Sequence, residues 1–286
     1  MSNSETRSLP EGVVSIVGCG PGDPELLTLK AASCIRSADV LVVDRLVDPR
    51  VLALKRGDAR VFDVGKKAGQ RSIAQDDINR ILVREALKGQ RVARLKGGDG
   101  FVFGRAAEEI AAVRAAGIAV DVIPGITAAH ACAASVTLPL TLRDQVRQVS
   151  LVTGATADGM LDLDWQTLSR PGHAFAIYMG VRSASVLRER LLAHGASAAL
   201  PIVIVENGTR DDERAIATTL GDLIAALTTF GVLGPAIIFG GLDWKAANLS
   251  RPAKVVVYRA APSPDTAALT PTLPARPASL DVSAEV

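Results

Sequence analysis

Short runs of β-branched and aliphatic residues, each passing directly into a turn rich in glycine or proline, recur along most of this chain. That pattern limits the fold more than any other feature, because such runs make buried strands and such turns end them. Residues 13–17, 40–43, 60–64, 91–95 and 119–123 read as strands. Helical spacing lies between them: over 26–37, with Leu26, Leu29, Ala32 and Ile35 on one face, over a stretch ending near Leu87, and over 105–115. Ser72-Ile-Ala-Gln75 fits a capping box opening the second of these helices. Strands alternating with helices predict a largely parallel sheet covered on its faces.

Near 138–148 the pattern resets, where Pro139, Arg143, Asp144 and Arg147 interrupt the apolar runs. The expected organisation is therefore α/β throughout: a flexible 1–12, a first α/β domain over 13–142, a second over 143–259, and a disordered Pro/Ala-rich tail over 260–286. The tail holds five of the 15 prolines among Ala, Ser and Thr, a composition that buries too little surface to offset ordering entropy. In the second half, strands are expected over 149–153, 174–179, 202–206, 215–219, 236–239 and 254–258, with helices over 183–194 and 220–229. A smaller layer with more antiparallel pairing is the expectation there.

Composition narrows the function. The 286 residues suffice for two domains, and at 48% hydrophobic and 22% charged they belong with folded globular chains. Aromatics are only 3%, so small aliphatic side chains must fill the interior. The 32 basic against 30 acidic side chains leave a net charge of +2, which gives no field for gripping a nucleic-acid backbone. Cys19, Cys34 and Cys132 lie far apart and form no paired motif, which suits a reducing compartment. The polar start lacks an apolar signal core, so a cytoplasmic protein is expected. Residues 122–142 carry no charged side chain, yet Pro124, Gly125, His130, Ser135 and Pro139 break them, so they read as strand, loop and buried helix rather than a membrane span.

Ligands of open α/β sheets bind beyond the carboxyl ends of the strands. Here those ends are Gly18-Cys-Gly-Pro-Gly-Asp23, Asp44-Arg45, Lys96-Gly-Gly-Asp-Gly100, Pro124-Gly-Ile-Thr-Ala128, Met179-Gly180 and Asn207-Gly-Thr209. Each alone makes an ordinary turn; together they suggest a preformed cleft into which backbone groups reach. Familiar alternatives fail. The dinucleotide fingerprint needs glycine where Asp23 stands, and Gly65-Lys66-Lys67 lacks the rest of a P-loop. Neither G-x-S-x-G nor H-E-x-x-H occurs, and His130, His173 and His194 have no metal-ligand spacing, so no metal is expected.

Three segments in order, Val17-Gly-Cys-Gly-Pro-Gly-Asp-Pro-Glu-Leu-Leu-Thr28, Leu95-Lys-Gly-Gly-Asp-Gly-Phe-Val-Phe-Gly-Arg-Ala-Ala-Glu-Glu109 and Ile123-Pro-Gly-Ile-Thr-Ala128, resemble the tetrapyrrole (corrin/porphyrin) methylase family. The likeness runs from about Val13 to Tyr258, and within the family it points to members that methylate uroporphyrinogen III at C2 and C7. It implies a homodimeric class III methyltransferase with S-adenosylmethionine in the cleft between two α/β domains. Carried over by position, the cofactor contacts would be Pro21, Gly97, Gly98, Asp99, Thr127, Ala128, Met179, Gly208 and Ala236. Relatives commonly have proline where this chain has Gly100, so the loop holding Asp99 is expected to be less rigid here.

The implied macrocycle is fringed with carboxylates, which the planar fork of arginine matches with paired hydrogen bonds. Arg105 and Arg143 stand at the implied substrate positions. Glu108 lies on the helical face of Arg105 and can orient it, or the two form a plain surface pair. Asp44 reads equally as a base or charge stabiliser and as a turn cap. A later corrin intermediate, another acceptor, or a non-catalytic adenosyl-ligand module are the alternative readings.

Overall fold

The computed structural model describes residues 12–65, 73–155, 161–245 and 255–260. The terminal segments and the Ser72 cap expected above lie outside those residues. Strands β1 (Val13–Gly18), β2 (Val40–Val43), β3 (Arg60–Asp63), β4 (Val92–Lys96) and β5 (Ala119–Ile123) form one sheet in the order β3-β2-β4-β1-β5, every pair parallel. Every residue of β1, β2 and β4 is buried, as expected of a parallel sheet covered on both faces. Helix α1 (Leu29–Ser37) covers the face bearing Val17, Leu41 and Leu95. Helices α2 (Gln75–Ala86) and α3 (Ala106–Ala115) cover the opposite face, with Val14, Ile16, Val42 and Val92.

Helix starts depart from expectation for local reasons. Residues Pro24–Leu26 form a short 3-10 turn capped by Asp23, and α1 begins only after Thr28, whose hydroxyl accepts the Ala31 N–H at 3.1 Å. The buried face of α1 is therefore Ala31, Cys34 and Ile35, while Leu29 is 92% exposed. Helix α2 starts after Ala74, whose methyl group offers no capping acceptor, with Gln75 as its first residue. Arg105 precedes α3 in the left-handed region, with φ 56°.

The second sheet holds β6 (Gln148–Thr153), β7 (His173–Tyr178), β8 (Pro201–Glu206), β9 (Arg214–Thr219), β10 (Ala236–Gly240) and β11 (Val255–Val257), in the order β11-β9-β8-β10-β7-β6. Its centre is antiparallel as expected, and its outer pairs β6·β7 and β9·β11 are parallel. With six strands it is not the smaller sheet. Helices α5 (Trp165–Leu168), α6 (Ala184–Ala193) and α7 (Leu223–Thr229) cover the face carrying Phe175, Ile177, Ile204 and Ile238.

The other face, with Ala176, Tyr178, Val205 and Phe239, receives α4 (Ala128–Ser135), which buries Ala129, Cys132 and Ala133 there. This helix precedes the boundary expected at 142/143, yet its small side chains let it lie close on the second sheet. It is the buried helix foreseen within 122–142. Among the described residues no helix is long and apolar enough to cross a membrane.

Candidate active site

The chain leaves β1 for α1 on one face of the first sheet and leaves neighbouring β4 for α3 on the other. The loops diverge at that point and open a crevice beyond the strand ends. Three glycines let the loops touch. A Cβ on Gly18 would lie 2.5 Å from the Gly125 nitrogen and 2.9 Å from the Gly98 oxygen, so no larger residue fits. Gly98, at φ +67°, exchanges two backbone hydrogen bonds with Gly20, at 2.6 and 3.1 Å. Asp99 braces the same spot, its two carboxylate oxygens accepting the Phe101 N–H at 2.8 Å and the Gly125 N–H at 2.9 Å. These two donors hold the Asp99 carboxylate between the loops.

Across the crevice stands the edge of the second sheet. Met179 follows β7 with φ 53° and a half-exposed side chain, and Asn207 and Thr209 flank Gly208 with φ 51° and 65°. Strained non-glycine residues clustered at strand ends are found where a site is being shaped. Ala236 pairs with Glu206 at the start of β10, so Met179, Gly208 and Ala236 share one edge. Glu206 anchors this wall: burial would raise its carboxyl, but the Gly234 N–H, Arg214 and the Leu233 N–H hold it below the usual range.

Several contacts clasp the two walls. The Tyr178 hydroxyl lies 2.5 Å from Thr127 Oγ1 and accepts the Ala129 N–H at 3.0 Å, capping α4 from β7. Burial pushes this hydroxyl's pKa up, against the pull of those two bonds. Phe103 packs on its ring with centroids 5.0 Å apart. Thr209 Oγ1 accepts the Asp23 N–H at 3.2 Å, and Arg210 donates to the Leu46 carbonyl at 2.7 Å. Of the nine residues expected at the cofactor, Gly98, Asp99 and Thr127 lie among the contacts of the first wall and Met179, Gly208 and Ala236 on the edge of the second, with Pro21, Gly97 and Ala128 adjoining them along the chain. A cavity of about 480 Å³ adjoins them, lined by Leu26, His130, Arg210 and Glu213 among others but by none of the nine.

Asp44 follows β2 on the face of Val40 and Val42, and its carboxylate meets Arg94 at 3.4 Å and Lys96 at 3.7 Å. Its side chain faces these cations instead of capping a turn. Glu109 of α3 completes the cluster, 3.0 Å from Arg94 and 3.1 Å from Lys96. Burial, then the charge of Arg94, lowers the pKa of Lys96. Sequence reading missed Arg94, Lys96 and Glu109; the signal was two cations two residues apart in a strand otherwise buried on both faces.

Arg105 and Glu108 pair through two bonds, of 2.8 and 2.6 Å, with both side chains at least half exposed, a geometry common to an oriented guanidinium and to a surface pair. The structure does not bring Arg143 to this group. It sits exposed on the turn closed by Leu142 and Val146, with no ion pair among the described residues. Among those residues no cluster of His, Cys, Asp and Glu has metal-binding geometry.

A two-sheet α/β protein with a glycine-walled crevice at a topological switch is the class that fold and site define. The family model for tetrapyrrole (corrin/porphyrin) methylases matches residues 13–224, and the chain belongs to that family. It is a methyltransferase of the tetrapyrrole type. A siroheme synthase from Pseudoalteromonas translucida is 45% identical over 235 residues, 82% of this chain and 50% of that protein. One from Gluconacetobacter diazotrophicus is 47% identical over 231 residues, 80% of this chain and 49% of that protein. The chain spans about half the length of these curated relatives.

Among solved structures, uroporphyrin-III C-methyltransferase from Thermus thermophilus superposes with a TM-score of 0.68 at 36% identity, covering 82% of this chain and 99% of that one. The same enzyme has been solved with S-adenosyl homocysteine, at a TM-score of 0.69. A cobalt precorrin-4 methyltransferase matches with a TM-score of 0.73 at 26% identity, covering 83% of this chain and 98% of that one.

Proposed function

We propose that this chain transfers methyl groups from S-adenosylmethionine to C2 and C7 of uroporphyrinogen III, giving precorrin-2, as uroporphyrinogen-III C-methyltransferase does. The observation that supports the reading is the convergence of three glycine loops beyond one set of strand ends, with the Asp44 carboxylate at the end of a strand of the same sheet. The residues present fit the cofactor. The Gly97 backbone, and the Gly98 carbonyl beyond the bond it accepts from Gly20, suit its polar amino-acid end, the Asp99 carboxylate suits a cation, and Met179 and Ala236 offer an apolar edge for a base. Bound, the cofactor supplies a methyl group on a cationic sulfur, and its neutral leaving group needs no acid.

The chain's own part is positioning and charge. Arg105, held by Glu108, presents a fork to the substrate's carboxylates, and Arg143, exposed and apart from that pair, is a second cation for carboxylates at the far rim of the macrocycle. Attack by a pyrrole carbon places positive charge on the ring, and Asp44, beside the crevice, stabilises that charge and takes the proton lost from the neighbouring meso carbon. Arg94 and Lys96 hold the Asp44 carboxylate in place for this role. Cofactor and substrate meet between units 13–142 and 143–259, in a cytoplasmic homodimer that uses neither nucleic acid nor membrane.

Anaerobic incubation with uroporphyrinogen III and S-adenosylmethionine, followed by mass detection, tests the reading: a product gaining two methyl groups is expected, and none refutes it. The likeness to a cobalt precorrin-4 methyltransferase favours a later corrin intermediate as the second reading. Cofactor binding without turnover of uroporphyrinogen III, together with methylation of a corrin, would favour it.

A further inference from the structure

Glu109 is fully buried, does not reach the crevice, and still spends a carboxylate on two cations. Both its oxygens contact Lys96 Nζ at 3.1 Å, and Oε1 also accepts from Arg94 Nε at 3.0 Å and Gln75 Nε2 at 3.3 Å. The same two cations face Asp44 on their other side, Arg94 through Nη2 and Lys96 through Nζ. Arg94 is held further by donating to the Val42 and Leu95 carbonyls. Two carboxylates therefore balance two cations, and only Asp44 shows appreciable surface, 37% of its side chain.

We propose that Glu109 is a positioning residue for the reaction: through Arg94 and Lys96 it fixes the Asp44 carboxylate and sets how readily that carboxylate takes a proton. The proposal rests on the reading of Asp44 as the base. Without the negative charge of Glu109, two buried cations would act on Asp44 uncompensated, holding its carboxylate too firmly ionised to be an effective base. Without Lys96, Glu109 would act on Asp44 through one cation fewer, and Asp44 would hold its proton more tightly.

Other charged or titratable groups facing the cluster are few. Arg105 and Glu108 at the start of α3 interact electrostatically with Glu109 and Lys96 respectively, and Cys19 after β1 senses Arg94 and Asp44. Helix α2 presents Gln75, which is neutral. On β3, Asp63 pairs in register with Val43, so it belongs to the opposite face of the sheet.

The test uses Glu109→Gln, Lys96→Met, the double variant and a control, Glu85→Gln, which removes a buried carboxylate of α2 that pairs with Arg60, Arg84 and Lys88. Carbon-13 NMR of aspartate-labelled protein without ligand, assigned with Asp44→Asn, reports the titration midpoint of Asp44. The acid limb of the methylation rate reports it in turnover. Both should move down by about half a pH unit or more in Glu109→Gln and up in Lys96→Met, returning near wild type in the double variant. Calorimetric affinity for S-adenosyl homocysteine should stay within about twofold, and Glu85→Gln should leave the midpoint in place. A merely structural role would move stability without moving the midpoint in opposite directions. If Glu109→Gln does not fold, the double variant compared with Lys96→Met carries the test, its midpoint lying below that of Lys96→Met. An Asp44 midpoint unmoved in the folded variants overturns the proposal, whereas undiminished turnover by Asp44→Asn overturns the reading of Asp44 as the base and the proposal with it.

Discussion

Removing one oxygen atom by Tyr178→Phe should loosen the clasp between the two walls of the crevice, and the structure sets the size of the effect. The Ala129 N–H belongs to the first turn of α4, where no carbonyl within the helix can receive it, and Ala129 is fully buried. Losing its acceptor strands a buried donor, which costs about 1–3 kcal/mol. The bond to Thr127 contributes about 0.5–1.5 kcal/mol more, although the partly exposed Thr127 hydroxyl can turn toward water. The ring itself stays packed on Phe103, so little apolar contact is lost. Together these give a loss of about 2–4 kcal/mol and a fall in melting temperature of roughly 5–15 °C.

Urea unfolding followed by circular dichroism measures this, with the slope against denaturant unchanged. A double-mutant cycle with Thr127→Val should return a coupling of about 1 kcal/mol. Affinity for S-adenosyl homocysteine should fall several-fold, because Thr127, Ala128 and Met179 adjoin the clasp. A stability loss below about 0.5 kcal/mol, with zero coupling in the cycle, would refute the argument that this hydroxyl joins the walls.

Gly208→Ala should destabilise by about 1–3 kcal/mol, because its Cβ would collide with Cys132 Sγ, and Cys132→Ala should relieve most of that cost in the double variant. Absence of rescue in thermal melts would show the collision is not the cause. Burial works against Glu85, but Arg84, Lys88 and Arg60 hold its carboxyl down to about 2, so its stabilisation is full above about pH 4.5 and fades as pH falls toward 2. Those cations are about half exposed and screened by water, so Glu85→Gln should cost about 1–2 kcal/mol at pH 7 and nothing near pH 2; a cost independent of pH would contradict this. Burial pushes the Cys19 thiol up to about 12 and the Cys34 thiol up to about 11, so neither should react with a disulfide reagent at pH 8 until the protein unfolds. Rapid labelling of both in the native state would count against the described packing. Arg143→Ala should weaken substrate binding more than cofactor binding, and equal losses in calorimetry would remove Arg143 from the site.

Local patterns in the chain determined a good deal. Alternation of β-branched runs and amphipathic stretches specified the parallel first sheet, since side-chain periodicity acts over a few residues and is written directly in the sequence. The glycine turns marked the strand ends where ligands gather, and the long motifs around Gly18, Gly98 and Gly125 pointed to the family. Register and packing between distant segments decided the rest. Arg94, Lys96 and Glu109 meet only because β4 lies beside β2 beneath α3, and Tyr178 caps α4 only because that helix settles on the second sheet. The start of α1 shifted because Thr28 offered a better cap than the apolar spacing suggested. The side-chain hydrogen bonds of Glu109 and Tyr178 join residues from 13 to 51 positions apart, and their energies exist only once both segments are in place.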